Sequence, residues 1–89
     1  MYFFTIETQV NNKRLYCIGF NYRKNNDFKD RSIAKFIGLE TKQYKEILVQ
    51  LGAIILYREC YFENKDDCEK CCNYLQELYG PIIKLAESI

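Results

Sequence analysis

The sequence predicts a small α+β fold: a three-stranded antiparallel sheet packed against helices, in the order ββααβαα. Three observations predict it. Apolar side chains alternate over the first twenty-three positions, the period becomes helical from Ser32, and a β-branched and aromatic run, AIILYRECYF, follows two helical segments. At 89 residues the chain is expected to be one domain, 1–89, with one modest core.

Phe4, Ile6, Thr8 and Val10 fall on one side of an extended chain, and Tyr16, Ile18, Phe20 and Tyr22 on one side of the next. Between them, Asn11 and Asn12 tolerate left-handed backbone, so the two runs read as a β-hairpin. RKNNDFKD, from Arg23 to Asp30, breaks the pattern and reads as a polar loop. Ser32 is expected to cap a short helix carrying Ile33, Ala34, Phe36 and Ile37, ended by Gly38. Thr41 is expected to cap a second helix, with Tyr44, Ile47, Leu48 and Leu51 at spacings of three and four and Gly52 past its end. The run from Ala53 reads as the third strand of the sheet. Asn64 then caps a long helix with Asp66 and Asp67 in its first turn, where carboxylates suit the helix dipole. Gly80 and Pro81 are expected to interrupt that helix, with Pro81 opening a further short one that ends near Ser88.

Composition narrows the function. The formal charge of +1 argues against a generic polyanion binder and against an acidic nucleic-acid mimic. It hides an asymmetry, because residues 1–45 hold nine basic and four acidic side chains and residues 46–89 hold four and eight. No apolar run approaches the roughly 20 residues that span a bilayer, and MYFFTIETQV lacks the basic start and cleavage site of a signal peptide, so a cytoplasmic location is expected. Five cysteines is an odd number for a disulfide framework, and reduced thiols are expected. The chain has no histidine, the commonest general base and metal ligand. With no phosphate-binding glycine loop and no paired catalytic carboxylates beside a nucleophile, no enzymatic activity and no cofactor are expected.

DDCEKCC, from Asp66 to Cys72, places three cysteines within five residues. Cys60, Cys68, Cys71 and Cys72 match a zinc site in number, but Cys71 and Cys72 are adjacent in a segment with helix-start signals, and adjacent helical side chains diverge by about 100°. A redox pair at Cys68 and Cys71 is disfavoured by Asp66, Asp67 and Glu69, which oppose thiolate formation. From Cys68, by contrast, Cys71, Cys72, Leu75, Leu78 and Tyr79 follow at three, four, seven, ten and eleven residues. That is the apolar stripe of an amphipathic helix, and free cysteine serves there as a small hydrophobe. Cys17 and Cys60 read as sheet packing.

Residues 32–53 resemble a helix-turn-helix in their small-residue pattern, with Ala34, Gly38, Tyr44 and Ile47 at the matching positions. The resemblance implies that the second helix presents Glu40, Thr41, Lys42, Gln43 and Lys45 to a major groove. Glu40 and Glu46 oppose phosphate approach, and a structural helix pair gives the same pattern without DNA. Arg14, Tyr16, Tyr22, Arg23, Lys24 and Lys29 form an aromatic and basic set suited to RNA or an acidic protein face, or to a solvated hairpin.

Taken whole, SIAKFIGL, YKEILVQLGA and YFENKDDCEKCCNYL resemble the small accessory proteins of phages and prophages of low-GC Firmicutes, a pool that includes anti-CRISPR proteins. The resemblance implies a non-enzymatic inhibitor that binds a bacterial defence effector, a CRISPR nuclease complex foremost, and blocks nucleic-acid or target recognition. Glu59, Glu63, Asp66, Asp67 and Glu69 are the candidates to meet a basic groove on it, as charge complementarity steers such encounters. The alternative is a helix-turn-helix regulator that reads DNA with Thr41, Lys42, Gln43 and Lys45. Eight tyrosines exceed what so small a core needs, and a homodimer is a further expectation.

Overall fold

A computed structural model describes residues 2–23 and 25–87; Lys24 and the expected helix end near Ser88 lie outside the described residues. The fold is α+β, with five strands in two antiparallel sheets and three helices among the described residues. In chain order the elements are β1 (Phe3–Val10), β2 (Lys13–Tyr22), β3 (Asn25–Asp27), α1 (Asp30–Phe36), α2 (Thr41–Gln50), β4 (Ile54–Leu56), β5 (Glu59–Tyr61) and α3 (Lys65–Glu87).

β1 and β2 form the expected hairpin, with Val10 paired to Lys13 around Asn11 and Asn12. Both asparagines have positive φ, 53° and 65°, which is the geometry of a two-residue turn that matches the strand twist. The register places Phe20 opposite Phe3 and Ile18 opposite Thr5, while Leu15, Cys17 and Gly19 oppose Thr8, Ile6 and Phe4. Side chains alternate between faces, so the two apolar sets of the hairpin lie on opposite sides of the sheet. Phe3, Ile18 and Phe20 face the helices and join the main core. Leu15, on the other face, is fully buried among half-buried neighbours that include Ile6 and Cys17.

The element order departs from the expectation at three places. First, the polar segment after Arg23 contains β3, which pairs Asn25, Asn26 and Asp27 with Tyr22, Asn21 and Phe20 and so supplies the third strand. An edge strand of three residues needs only its backbone groups, so its side chains carry no apolar signal. Second, AIILYRECYF is a hairpin and not a single strand. Tyr57 and Arg58 have φ of 50° and 72°, and the chain reverses between Leu56 and Glu59, which pair. The hairpin joins the main sheet through one bridge, in which Tyr16 N donates to Phe62 O at 2.8 Å and Phe62 N to Tyr16 O at 2.6 Å. The second edge of β2 is thus shared by β3 and by Phe62. Third, α3 runs unbroken from Lys65 to Glu87 with Pro81 inside it. Pro81 withholds one helical hydrogen bond, but Ile83, fully buried in the core, anchors the turn beyond it, and packing outweighs the local cost.

Both short helices end as expected and begin elsewhere. At the end of α1, Leu39 N donates to Ala34 O at 2.8 Å and Gly38, at φ 84°, bonds to Lys35 O at 3.2 Å. Ala53 and Gly52 repeat this on Leu48 and Val49 at 2.9 and 3.1 Å, with Gly52 at φ 110°. These are paired glycine stops that satisfy the last carbonyls. Neither Ser32 nor Thr41 is a cap. α1 starts two residues before Ser32, because the Asp30 side chain is drawn inward, and α2 is opened by Glu40, whose N–H donates to Gln43 Oε1 at 3.1 Å. Asn64 does cap α3, its side-chain oxygen accepting Asp66 N–H at 2.8 Å.

The core lies between the sheet face of Phe3, Ile18 and Phe20 and the inner sides of the helices. Ile33, Ala34, Tyr44 and Leu48 enter from α1 and α2, and Cys68, Cys71, Cys72, Leu75 and Ile83 from α3. Gln76 pins α3 to the sheet by accepting Phe3 N–H at 3.2 Å. Each fully buried large apolar side chain is worth about 1.5–3 kcal/mol relative to exposure. Leu78, expected on the buried stripe, is 47% exposed and stands outside it. No helix among the described residues is long and apolar enough to cross a membrane.

Candidate functional site

α2 has two sides. Tyr44 and Leu48 are fully buried, which leaves Thr41, Lys42, Lys45, Glu46, Val49 and Gln50 on the outer face. That face and Ile55 of β4 line a groove of about 690 Å³. Its floor is apolar and open, with Val49 43% and Ile55 52% exposed. Lys42 and Glu46 stand on the same helical face and supply charges of both signs. The Lys45 ammonium donates to the backbone carbonyl of Arg58, tying α2 to the turn of the β4–β5 hairpin. That turn is held from its other side, where Asn11 Nδ2 donates to Tyr57 Oη at 2.8 Å. The groove walls are therefore fixed relative to the sheet, and the arrangement suits an apolar side chain of a partner flanked by polar groups.

Of the residues expected to read DNA, Thr41, Lys42 and Lys45 come together on this groove, but Gln43 does not line it. Its side chain is engaged with the start of α2 and Lys45 with Arg58. The acidic set is spread out. Glu59 accepts Asp30 N–H at 3.1 Å, Glu63 pairs with Lys13 at 2.6 Å, and Glu69 lies 3.9 Å from Lys65. Asp67 packs beside Gly52, and Asp66 is exposed in the first turn of α3. The aromatic and basic set is likewise dispersed: Arg14 lies 3.8 Å from Glu7, Arg23 sits over the Tyr22 ring, and Tyr22 packs on Phe36. Val49 and Ile55 went unread in the sequence. Val49 lies one turn beyond Lys45 on a helix whose inner side chains were the visible signal, and Ile55 looked like sheet interior.

Four of the five cysteines belong to the core. Cys60, Cys68, Cys71 and Cys72 are buried and Cys17 half-buried, and all five are free thiols. Among the described residues no three His, Cys, Asp or Glu side chains gather as metal ligands. Burial pushes the Cys71 thiol up to about 12, and burial with the nearby Asp30 charge does the same to Cys60. Cys68 and Cys72 share a hydrogen bond that makes Cys72 the more acidic of the two, with Thr5 Oγ1 3.6 Å from its sulfur. Beside them lies Asp30, a buried carboxylate that accepts the N–H of Cys60 at 2.7 Å. Burial raises it from 3.8 to about 6, and the Glu59 charge adds to the rise. The Tyr44 hydroxyl, also buried, has no hydrogen-bond partner among the described residues.

No known protein family, no curated protein and no solved structure matches the chain.

Proposed function

We propose that the protein is a non-enzymatic inhibitor that binds a bacterial defence effector, a CRISPR nuclease complex foremost, and obstructs its nucleic-acid or target recognition. The observation that carries the binding reading is the groove between α2 and β4, where Val49 and Ile55 offer an open apolar floor beside Lys42 and Glu46. An exposed apolar patch rimmed by polar residues marks a surface where proteins meet, since desolvating the patch stabilises a complex and the charged rim sets its orientation. The target class is supported by the resemblance of SIAKFIGL, YKEILVQLGA and YFENKDDCEKCCNYL to small phage accessory proteins. The acidic side chains fit this reading as a rim at most, because Glu63 and Glu69 already have basic neighbours. Reading of DNA by α2 is the weaker alternative, since Lys45 and Gln43 are engaged within the fold and the exposed floor is apolar.

Cleavage assays with purified nucleases of the major CRISPR types, run with excess protein, test the proposal. Inhibition of at least one type is expected, and Ile55→Glu should abolish it with the fold intact by circular dichroism. Full cleavage by every type sinks the reading. A gel shift on duplex fragments that Lys42→Glu eliminates would move the assignment to DNA binding.

A further inference from the structure

α3 carries a second apolar line besides the one it buries. Tyr74, Leu78, Ile82 and Leu85 follow at spacings of four, four and three, and are 42%, 47%, 57% and 68% exposed. At 100° per residue they share an arc of about 80°, next to the buried arc of Cys68, Cys71, Cys72, Leu75 and Ile83. Charged side chains flank the line on the side away from the core: Glu77 and Lys84, both exposed, stand one residue before Leu78 and Leu85. Positions seven apart that precede the apolar seam are those that pair across helices in a coiled coil.

We infer that this flank of α3 is the contact of a symmetric homodimer in which two copies of α3 lie antiparallel. A two-fold axis near Gly80 sets Leu78 against Ile82 of the second copy and Tyr74 against Leu85. The same axis brings Glu77 beside Lys84 of the second copy, twice, whereas in a parallel two-fold pair the flanks that carry Glu77 and Lys84 lie on opposite sides of the seam and form no such pairs. The charge pattern therefore selects a second copy and its direction. The four exposed side chains present roughly 400 Å² per copy, so two copies with their flanking charges cover about 1,000 Å², the lower end of a specific interface. A weak, concentration-dependent dimer follows. It uses an element that contributes nothing to the groove, so it stands or falls apart from the proposed function.

Sedimentation equilibrium from about 1 to 500 µM reads the association constant directly. The wild-type chain should move from monomer to dimer mass over that range. Leu78→Glu and, as a second variant should the first misfold, Ile82→Lys should stay monomeric with unchanged far-UV circular dichroism. Glu77→Lys should weaken association at least about threefold by placing lysines together, and Glu77→Lys with Lys84→Glu should restore it. Monomer mass throughout for the wild type overturns the inference. So does a dimer that survives Leu78→Glu, or a charge exchange that fails to rescue.

Discussion

Asp30 and Cys60, thirty residues apart in sequence, are joined by a 2.7 Å hydrogen bond from the Cys60 N–H to a buried Asp30 carboxylate oxygen. The bond fastens the start of α1 to the middle of β5 and accounts for a charged side chain with 3% exposure. Because the folded chain holds this carboxyl at about 6 against 3.8 when free, the folded state binds its proton more tightly. The resulting stabilisation is complete below pH 3.8 and is lost as pH rises through 6. A shift of this size corresponds to about 3 kcal/mol between those limits. Asp30→Asn keeps an oxygen for Cys60, so the variant should match or exceed wild type at pH 7. The difference between their denaturant stabilities should grow from pH 4 to pH 6 in favour of the variant; a constant difference would refute the assignment.

Tyr44 should gain from losing its hydroxyl. A buried hydroxyl without a partner costs about 1–3 kcal/mol, and the ring alone fills the site. Tyr44→Phe should raise the urea midpoint without altering its slope.

Pro81→Ala should stabilise as well. The substitution returns an N–H to the carbonyl of Glu77 inside a continuous helix, which is worth about 1–3 kcal/mol, or several degrees in Tm for a chain of this length. An unchanged Tm would mean that the last turns of α3 add nothing to global stability.

Gly52→Ala should cost about 1–2 kcal/mol, since φ of 110° is closed to residues with a Cβ. The loss is expected in thermal unfolding. Val49→Ala, three residues earlier and exposed, should change Tm by no more than a degree or two.

The thiols should resist alkylation in the folded state. At pH 8, Cys71 and Cys60 are held up to about 12 and Cys17 to about 11, and burial blocks the reagent at the four core thiols, Cys60, Cys68, Cys71 and Cys72. Intact-mass spectra should show five adducts only in denaturant. Among slow native adducts, Cys72 should label ahead of Cys68, its more weakly acidic partner.

What the sequence made legible follows from where side chains decide the backbone. Alternation revealed β1 and β2, Asn11 and Asn12 marked their turn, Gly38 and Gly52 marked two helix ends, and the spacing of Cys68, Cys71, Cys72 and Leu75 marked a buried stripe. Where tertiary contacts decide, it was mute. Nothing in Tyr57 and Arg58 announces left-handed backbone, β3 pairs through main-chain groups alone, and Pro81 is held by Ile83 from within the core. The groove was half legible: Lys42 and Lys45 stood out as charges, while Val49 and Ile55 acquire meaning only once β4 lies beside α2.

The divided edge of β2 also bears on the order of assembly. Its partners on that side come from residues 25–27 and from Phe62, and the second closes a loop of more than forty residues. Hairpins close in microseconds, whereas distant pairings wait on the search for loop closure. During ribosomal synthesis, β1 and β2 can therefore pair early, yet Tyr16 keeps its outward N–H and carbonyl open until Phe62 has emerged. Over that interval the nascent chain presents a sticky edge, and the Tyr16–Phe62 bridge closes it at its middle.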